Sequence, residues 1–173
     1  EKGVSNFFSN LGEVNTIAND ILQLKFQQAG QDSLRFLINS TIGVFGLFDV
    51  ATPMGLSKNK EDFGQTLGFW GIPDGPYLVL PFLGPSSFRD VPGTIVDYEM
   101  SPVEQLHHEE RQVLRIIDIV DTRAKLLRAT KILDTAAKDK YIFIRESYLQ
   151  KRESLIRDGE NEEEFEIDVY GVE

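Results

Sequence analysis

The sequence predicts an all-α fold built from two kinds of helix: short, Gly- and Pro-broken helices at a membrane interface, and longer amphipathic ones. Three observations carry that prediction. Apolar residues recur at steps of three and four in both terminal stretches. Pro, Gly and aromatic residues gather in a middle stretch that is almost free of charge. The apolar runs of that stretch are too short to cross a bilayer, which takes roughly 20 residues of helix.

With 173 residues, 41% hydrophobic and 27% charged, the chain is long enough for one well-buried domain and too apolar to be disordered. Its formal net charge of −10 argues against a nucleic-acid partner and against docking on anionic lipid by charge alone. Zero Cys removes thiol catalysis, thiolate metal sites and disulfides together. Residues 1–35 read as a polar–apolar helix rather than a targeting leader, and Glu1 in place of an initiator Met suggests a processed or trimmed form.

From Val4 to Gly30, Phe7, Leu11, Val14, Ile17, Ala18, Ile21 and Leu24 follow a helical period. Asn and Gln dominate the other face, and Gly30 is the expected stop. All seven Pro lie between Pro53 and Pro102, and nine of the 14 Gly lie between Gly43 and Gly93. Ser33 to Ala51 reads as a helix apolar on nearly every side. Gly75 to Phe88 is interrupted by Pro76, Pro81 and Pro85, so short helices joined by tight turns are expected there. A water-soluble core is the ordinary reading of such runs. The amount counts against it, because a soluble helix keeps a polar stripe and these segments have little to wet. Phe36, Phe45, Leu47, Phe48, Phe69, Trp70, Tyr77, Leu80, Phe82 and Phe88 are therefore expected to be embedded in one leaflet. Gly43 with Gly46, and Gly64 with Gly68 and Gly71, have spacings that permit close backbone packing.

Beyond Pro102 there is no Pro, and Ser101-Pro102 forms a plausible helix start. Val113, Ile116, Ile117, Val120, Ala124 and Leu127 mark one helical face; Tyr141, Ile144, Tyr148 and Leu155 mark another. Asp139 is expected to break the helix and cap the next. Residues 1–159 read as one domain and 160–173 as an acidic, flexible tail.

Catalytic patterns are scarce. His107-His108-Glu109-Glu110 lacks the HExxH spacing that puts two imidazoles on one helical face, so no metal site is expected. No GxSxG elbow exists, and Gly64 to Gly68 is neither a P-loop nor a dinucleotide fingerprint. Asn39-Ser40-Thr41 fits a glycosylation sequon but lies in an apolar helix, where it could not be reached. No cofactor and no enzymatic activity are expected.

The segments RFLINSTIGVFGLFDVA (Arg35–Ala51), FGQTLGFWGIPDGPYLVLPFLGPSSFRD (Phe63–Asp90), DTRAKLL (Asp121–Leu127) and DKYIFIRESYLQKR (Asp139–Arg152) closely resemble the VacJ/MlaA family of outer-membrane lipoproteins. The resemblance runs from about Asn10 to Gly159. It implies a ring-like arrangement of helices in the periplasmic leaflet of a Gram-negative outer membrane. It further implies removal of mislaid phospholipid from the outer leaflet through an amphipathic channel, with delivery to a periplasmic lipid-carrier protein. A trimeric porin is the implied membrane partner. Such a channel needs a polar lining for the headgroup. By match to the family's channel stretch, Asp90 and Asp97 are lining candidates, and Asp139 and Arg145 join them from the last motif. Mixed sign would suit a zwitterionic headgroup. Helix capping or an internal ion pair is the alternative role for all four. Val91 and Thr94 stand where relatives carry acids, which implies a less acidic lining. The lipidated Cys of the family lies outside this sequence, so a lipid anchor is expected only of the full-length form. A porin-associated scaffold that conducts no lipid is the competing reading.

Overall fold

The structure, a computed structural model, describes the backbone of residues 2–81, 83–136 and 139–158, and the side chains of all of these but 125–136. Phe82, Leu127 and the acidic segment 160–173 therefore lie outside the described residues or side chains. The fold is all-α, a mix of short and long helices with one small hairpin: α1 (Lys2–Leu22), α2 (Phe26–Thr41), α3 (Phe63–Phe69), β1 (Tyr77–Leu80), β2 (Gly84–Ser87), α4 (Asp90–Met100), α5 (His108–Ala136) and α6 (Lys140–Ile156). Single 3₁₀ turns cover Thr52–Met54 and Pro102–Gln105.

α1 and α2 form an antiparallel helical hairpin. Asn10 donates to Ser40 at 2.9 Å, and Arg35 faces Glu13 at 3.6 Å. The break falls at Gln23–Lys25, where Leu24 takes a left-handed φ of 63°. Gly30, the expected stop, sits inside α2 instead. A Gly in mid-helix costs about 1 kcal/mol, which two long packed helices absorb. α2 is also shorter than the predicted Ser33–Ala51 helix. It ends at Thr41, and Val44, Phe45 and Gly46 follow with positive φ, turning the chain sharply. Gly46 is required there, since a Cβ would lie 2.5 Å from Asn10. Asn39 braces the turn: its Oδ1 accepts from the Val50 and Ala51 amides and its Nδ2 donates to Asp49. The sequon asparagine is thus buried and fully occupied.

The Gly75–Phe88 stretch differs from the expected short helices. It forms a two-stranded antiparallel hairpin, with Tyr77 opposite Ser87 and Leu80 opposite Gly84. Prolines exclude helix here, and Tyr-Leu-Val-Leu favours strand. A two-stranded ribbon is all edge, so Pro85 is tolerated within it. Tyr77 packs edge-on against Tyr141 and Tyr148, fixing the hairpin to α6. α3 and α4 meet where a Cβ on Gly93 would lie 2.5 Å from the Gly64 amide. The close approach expected of Gly64 is real, with Gly93 as its partner. Ser101 caps only the 3₁₀ turn, and α5 starts afresh at His108. Asp139 caps α6, accepting from the Tyr141 and Ile142 amides.

The interior is polar. Among the described residues only Ala29 and Ala51 are buried apolar side chains. Glu13, Asn19, Asp20, Gln23, Asp32, Arg35, Gln65, Arg89, Asp90 and Arg152 are buried instead. Phe45 is 77% exposed, Phe88 69%, Phe48 63% and Trp70 52%, while Leu47 and Phe69 are exposed too. Phe36, Tyr77 and Leu80 are half-buried. The outer face of α5 adds Val113, Ile116, Ile117 and Val120. Soluble folds bury apolar side chains and leave charge outside; this chain inverts that order. No described helix is long and apolar enough to cross a membrane.

Candidate functional site: a charge-lined lumen

Asp90 opens α4 and Asp97 lies seven residues on, a spacing that sets both carboxylates on one helical face. Thr94 lies between them on that face, its hydroxyl bonded back to the Asp90 carbonyl. α6 answers with Tyr148 and Arg152, four residues apart and so on one face of that helix. Asp62 comes from the N-cap of α3, where it accepts from the Gln65 amide. α1 closes the space with Phe8, Leu11, Gly12 and Asn15. Together they enclose a cavity of about 400 Å³.

Arg152 organises the charges. Its guanidinium forks onto both oxygens of Asp62, at 2.6 and 2.9 Å, and also reaches Asp90 at 2.9 Å. Asp90 further accepts from Arg89 at 3.1 Å and from the Tyr148 hydroxyl. Burial pushes the Asp90 carboxyl up, but the Tyr148 hydrogen bond and the Arg152 and Arg89 charges outweigh it and hold it below the usual range. Asp62 is likewise held low, burial being outweighed by Arg152 and Gln65. Asp97 behaves oppositely. Burial raises it to about 6, although it accepts from the Phe63 amide at 2.9 Å and from Asn19 at 3.1 Å.

A second cavity, of about 590 Å³, lies along the N-terminal half of α1. It shares Phe8, Gly12, Asp62 and Asp118 with the first, so the two adjoin across common wall residues and together make up the lumen. Its wall adds Ser9, Glu13, Thr16, Lys58, Lys60 and Glu61.

Behind that wall, between α1 and α2, Asp20 and Asp32 are buried together. Burial, then the Asp32 charge, raises Asp20 to about 8. Burial, then Asp32, also raises Glu13 to about 7, against the nearby Arg35 and Lys58. Ordinary values are 3.8 and 4.5. A carboxyl raised on folding is protonated in the folded chain and ionised in the unfolded one. Its contribution is therefore intact at low pH and lost as pH rises through the folded value. Asp62 and Asp90, held low, lose theirs only as pH falls below about 4. Stability is thus expected to decline from about pH 5 towards pH 8. Asp20→Asn keeps a donor to Asp32 without the titration. It should flatten that slope and raise Tm at pH 8 by roughly 2–4 °C, what about 1 kcal/mol gives at this chain length. Thermal unfolding of both proteins between pH 5 and 8 measures it, and equal slopes would refute the assignment.

Of the sequence-derived candidates, Asp90 and Asp97 line the lumen. Asp139 is exposed at the α6 cap, and Arg145 is exposed and paired with Glu146 at 2.8 Å; neither lines the two cavities. Tyr148 and Arg152, in the same motif, hold the inward positions. Asp62 and Asp118 restore acid to a wall that Val91 and Thr94 had suggested was less acidic. No group of three or more His, Cys, Asp or Glu among the described residues is placed to hold a metal ion.

Comparison with known proteins bears on what this lumen belongs to. The family model described as MlaA lipoprotein matches residues 1–155. An uncharacterized protein of Rickettsia prowazekii (strain Madrid E) is 34% identical over 161 residues, 91% of this chain and 64% of that protein. The intermembrane phospholipid transport system lipoprotein MlaA of Escherichia coli (strain K12) is 33% identical over the same shares of each chain. The chain thus spans a little under two thirds of the length of these relatives. A chain solved in work on the structural basis for maintenance of bacterial outer membrane lipid asymmetry superposes with a TM-score of 0.73. It is 31% identical, and the match covers 90% of this chain and 79% of that one.

Proposed function

The chain belongs to the MlaA lipoprotein family, and on that premise we propose that it is a non-enzymatic component of phospholipid transport at the outer membrane that maintains lipid asymmetry. One observation carries the reading: the inversion of polarity. An exterior of Phe45, Phe48, Trp70 and Phe88 suits acyl chains, while a charged lumen suits a headgroup passing out of water. The protein lies in the periplasmic leaflet of a Gram-negative outer membrane, lipid-anchored in its full-length form; one acyl chain alone binds membranes only marginally, so the embedded helices supply most of the anchoring. Mislocalised phospholipid leaves the outer leaflet through the lumen, past Asp90 and Asp97, and goes to a periplasmic carrier. The residues assigned to the leaflet, from Phe36 to Phe88, form the lipid-facing belt, and a trimeric porin is the membrane partner. The exposed Val113, Ile116, Ile117 and Val120 of α5 favour a second reading, a porin-bound scaffold that conducts no lipid.

Native mass spectrometry of the full-length protein, extracted gently from outer membranes, separates the two. Phospholipid retained in an assembly with porin is the expected result. Porin without lipid would install the scaffold reading. A lipid-free monomer needing no detergent would overturn the membrane placement.

A further inference from the structure

The basic side chains on the lumen wall are Arg152, Lys58 and Lys60. Arg152 is consumed by Asp62 and Asp90. Lys58 and Lys60 have no carboxylate within ion-pair distance among the described residues, and the Lys58 ammonium rests on the hydroxyl of Ser9. The acids around them are engaged elsewhere. Glu13 faces Arg35, Glu61 is bound by Lys25 at 3.2 Å, and Asp62 holds Arg152. Both ammonium groups therefore line the cavity without a direct ion pair among the described residues, Glu13 and Asp49 acting on Lys58 only from beyond contact distance. They also border a third cavity, of about 580 Å³, with Lys151 on its wall.

Resting on the transport reading above, we propose that Lys58, with Lys60 beside it, is the phosphate-binding station of the lumen. It takes the phosphodiester of a lipid headgroup, or a free phosphate, as the ligand enters or leaves. Desolvation lowers the Lys58 ammonium although the residue stays exposed, and an anion beside it would offset that penalty. Asp97 in the adjoining cavity, whose contacts are the Phe63 amide and Asn19 rather than a base, then answers the amine end of a zwitterionic headgroup. This gives the positive end of the lining to Lys58, where the resemblance had offered Arg145 as the basic lining candidate.

The test is a titration of the full-length protein in detergent, read by native mass spectrometry. The probes are phosphatidylethanolamine, diacylglycerol without phosphate, and inorganic phosphate. Lys58→Glu is expected to weaken phosphatidylethanolamine binding by about tenfold or more, the worth of one charge-assisted hydrogen bond. Lys58→Arg should bind as the parent does, and Lys2→Glu, the same charge change away from the lumen, should have no effect. Diacylglycerol binding should be indifferent to Lys58. Inorganic phosphate binding that is lost in Lys58→Glu and equals the lipid's affinity would identify free phosphate as the ligand. Unchanged phosphatidylethanolamine binding in Lys58→Glu would overturn the station and leave the transport reading standing. A parent protein that binds no phospholipid would overturn both.

Discussion

Replacing Arg152 by Met is expected to cost about 3 kcal/mol and to lower Tm by roughly 6–12 °C. The guanidinium is buried and joins three elements that are distant in sequence: α6, the N-cap of α3 and the first turn of α4. Without it, Asp62 and Asp90 face each other with their largest shared counter-charge gone. Removing one partner of such a buried pair typically costs about 3–5 kcal/mol, because an uncompensated charge remains. The lower end applies here, since Asp62 keeps part of its surface towards the cavity water. Arg152→Lys should recover only part of the loss, as a point charge cannot make the fork onto both Asp62 oxygens. Combining Arg152→Met with Asp62→Asn and Asp90→Asn should recover most of it, because no unpaired charge is then left behind. Thermal unfolding in detergent measures all three proteins. A single substitution as stable as the parent would show that the ion-pair cluster does not hold the lumen together.

The same cluster shows how far sequence reasoning reaches. Helices at both ends were legible from periodicity, and the apolar, charge-poor character of the middle from its composition. Which side of an amphipathic helix faces inward was not. Phe7, Leu11, Val14 and Ile17 mark a stripe, and so do Asn10, Glu13, Thr16 and Asp20. Only the surrounding solvent decides between them, and in lipid the polar stripe is the one that must be covered. Asp90 and Asp97 could be found because they fall in the stretch that resembles the family's channel segment, and α4 then sets both on one helical face. Arg152 could not, since its partners lie 62 and 90 residues away and only the tertiary fold joins them. A local signal did exist in the i,i+4 pairing of Tyr148 with Arg152, two polar-tipped side chains on one face of α6. Arg145, two turns before Arg152 in the same motif, carries an identical charge yet is exposed and lines neither cavity. The β-hairpin was missed for another reason: the prolines ruled out a long helix without saying what replaces it.

Gly12→Trp is expected to stop lipid passage while leaving the fold intact. Gly12 lines both cavities at the neck where they adjoin, and a Cβ there meets nothing within 4 Å. A side chain at this position therefore starts into open space, and an indole is bulky enough to fill the neck. The helix itself should gain, because Gly in an exposed helical position is worse than other residues by up to about 1 kcal/mol. This separates conduction from assembly, since a scaffold needs its outer surface and makes no use of an open neck. In cells lacking their own copy, the variant should accumulate at parental levels, retain any porin that the parent binds, and leave phospholipid in the outer leaflet to the extent that cells without the protein do. Gly12→Ala, too small to fill the neck, should behave as the parent. Normal asymmetry with Gly12→Trp would mean that lipid does not travel between these two cavities. Loss of porin together with asymmetry would point to an altered outer surface, which the open space around Gly12 argues against.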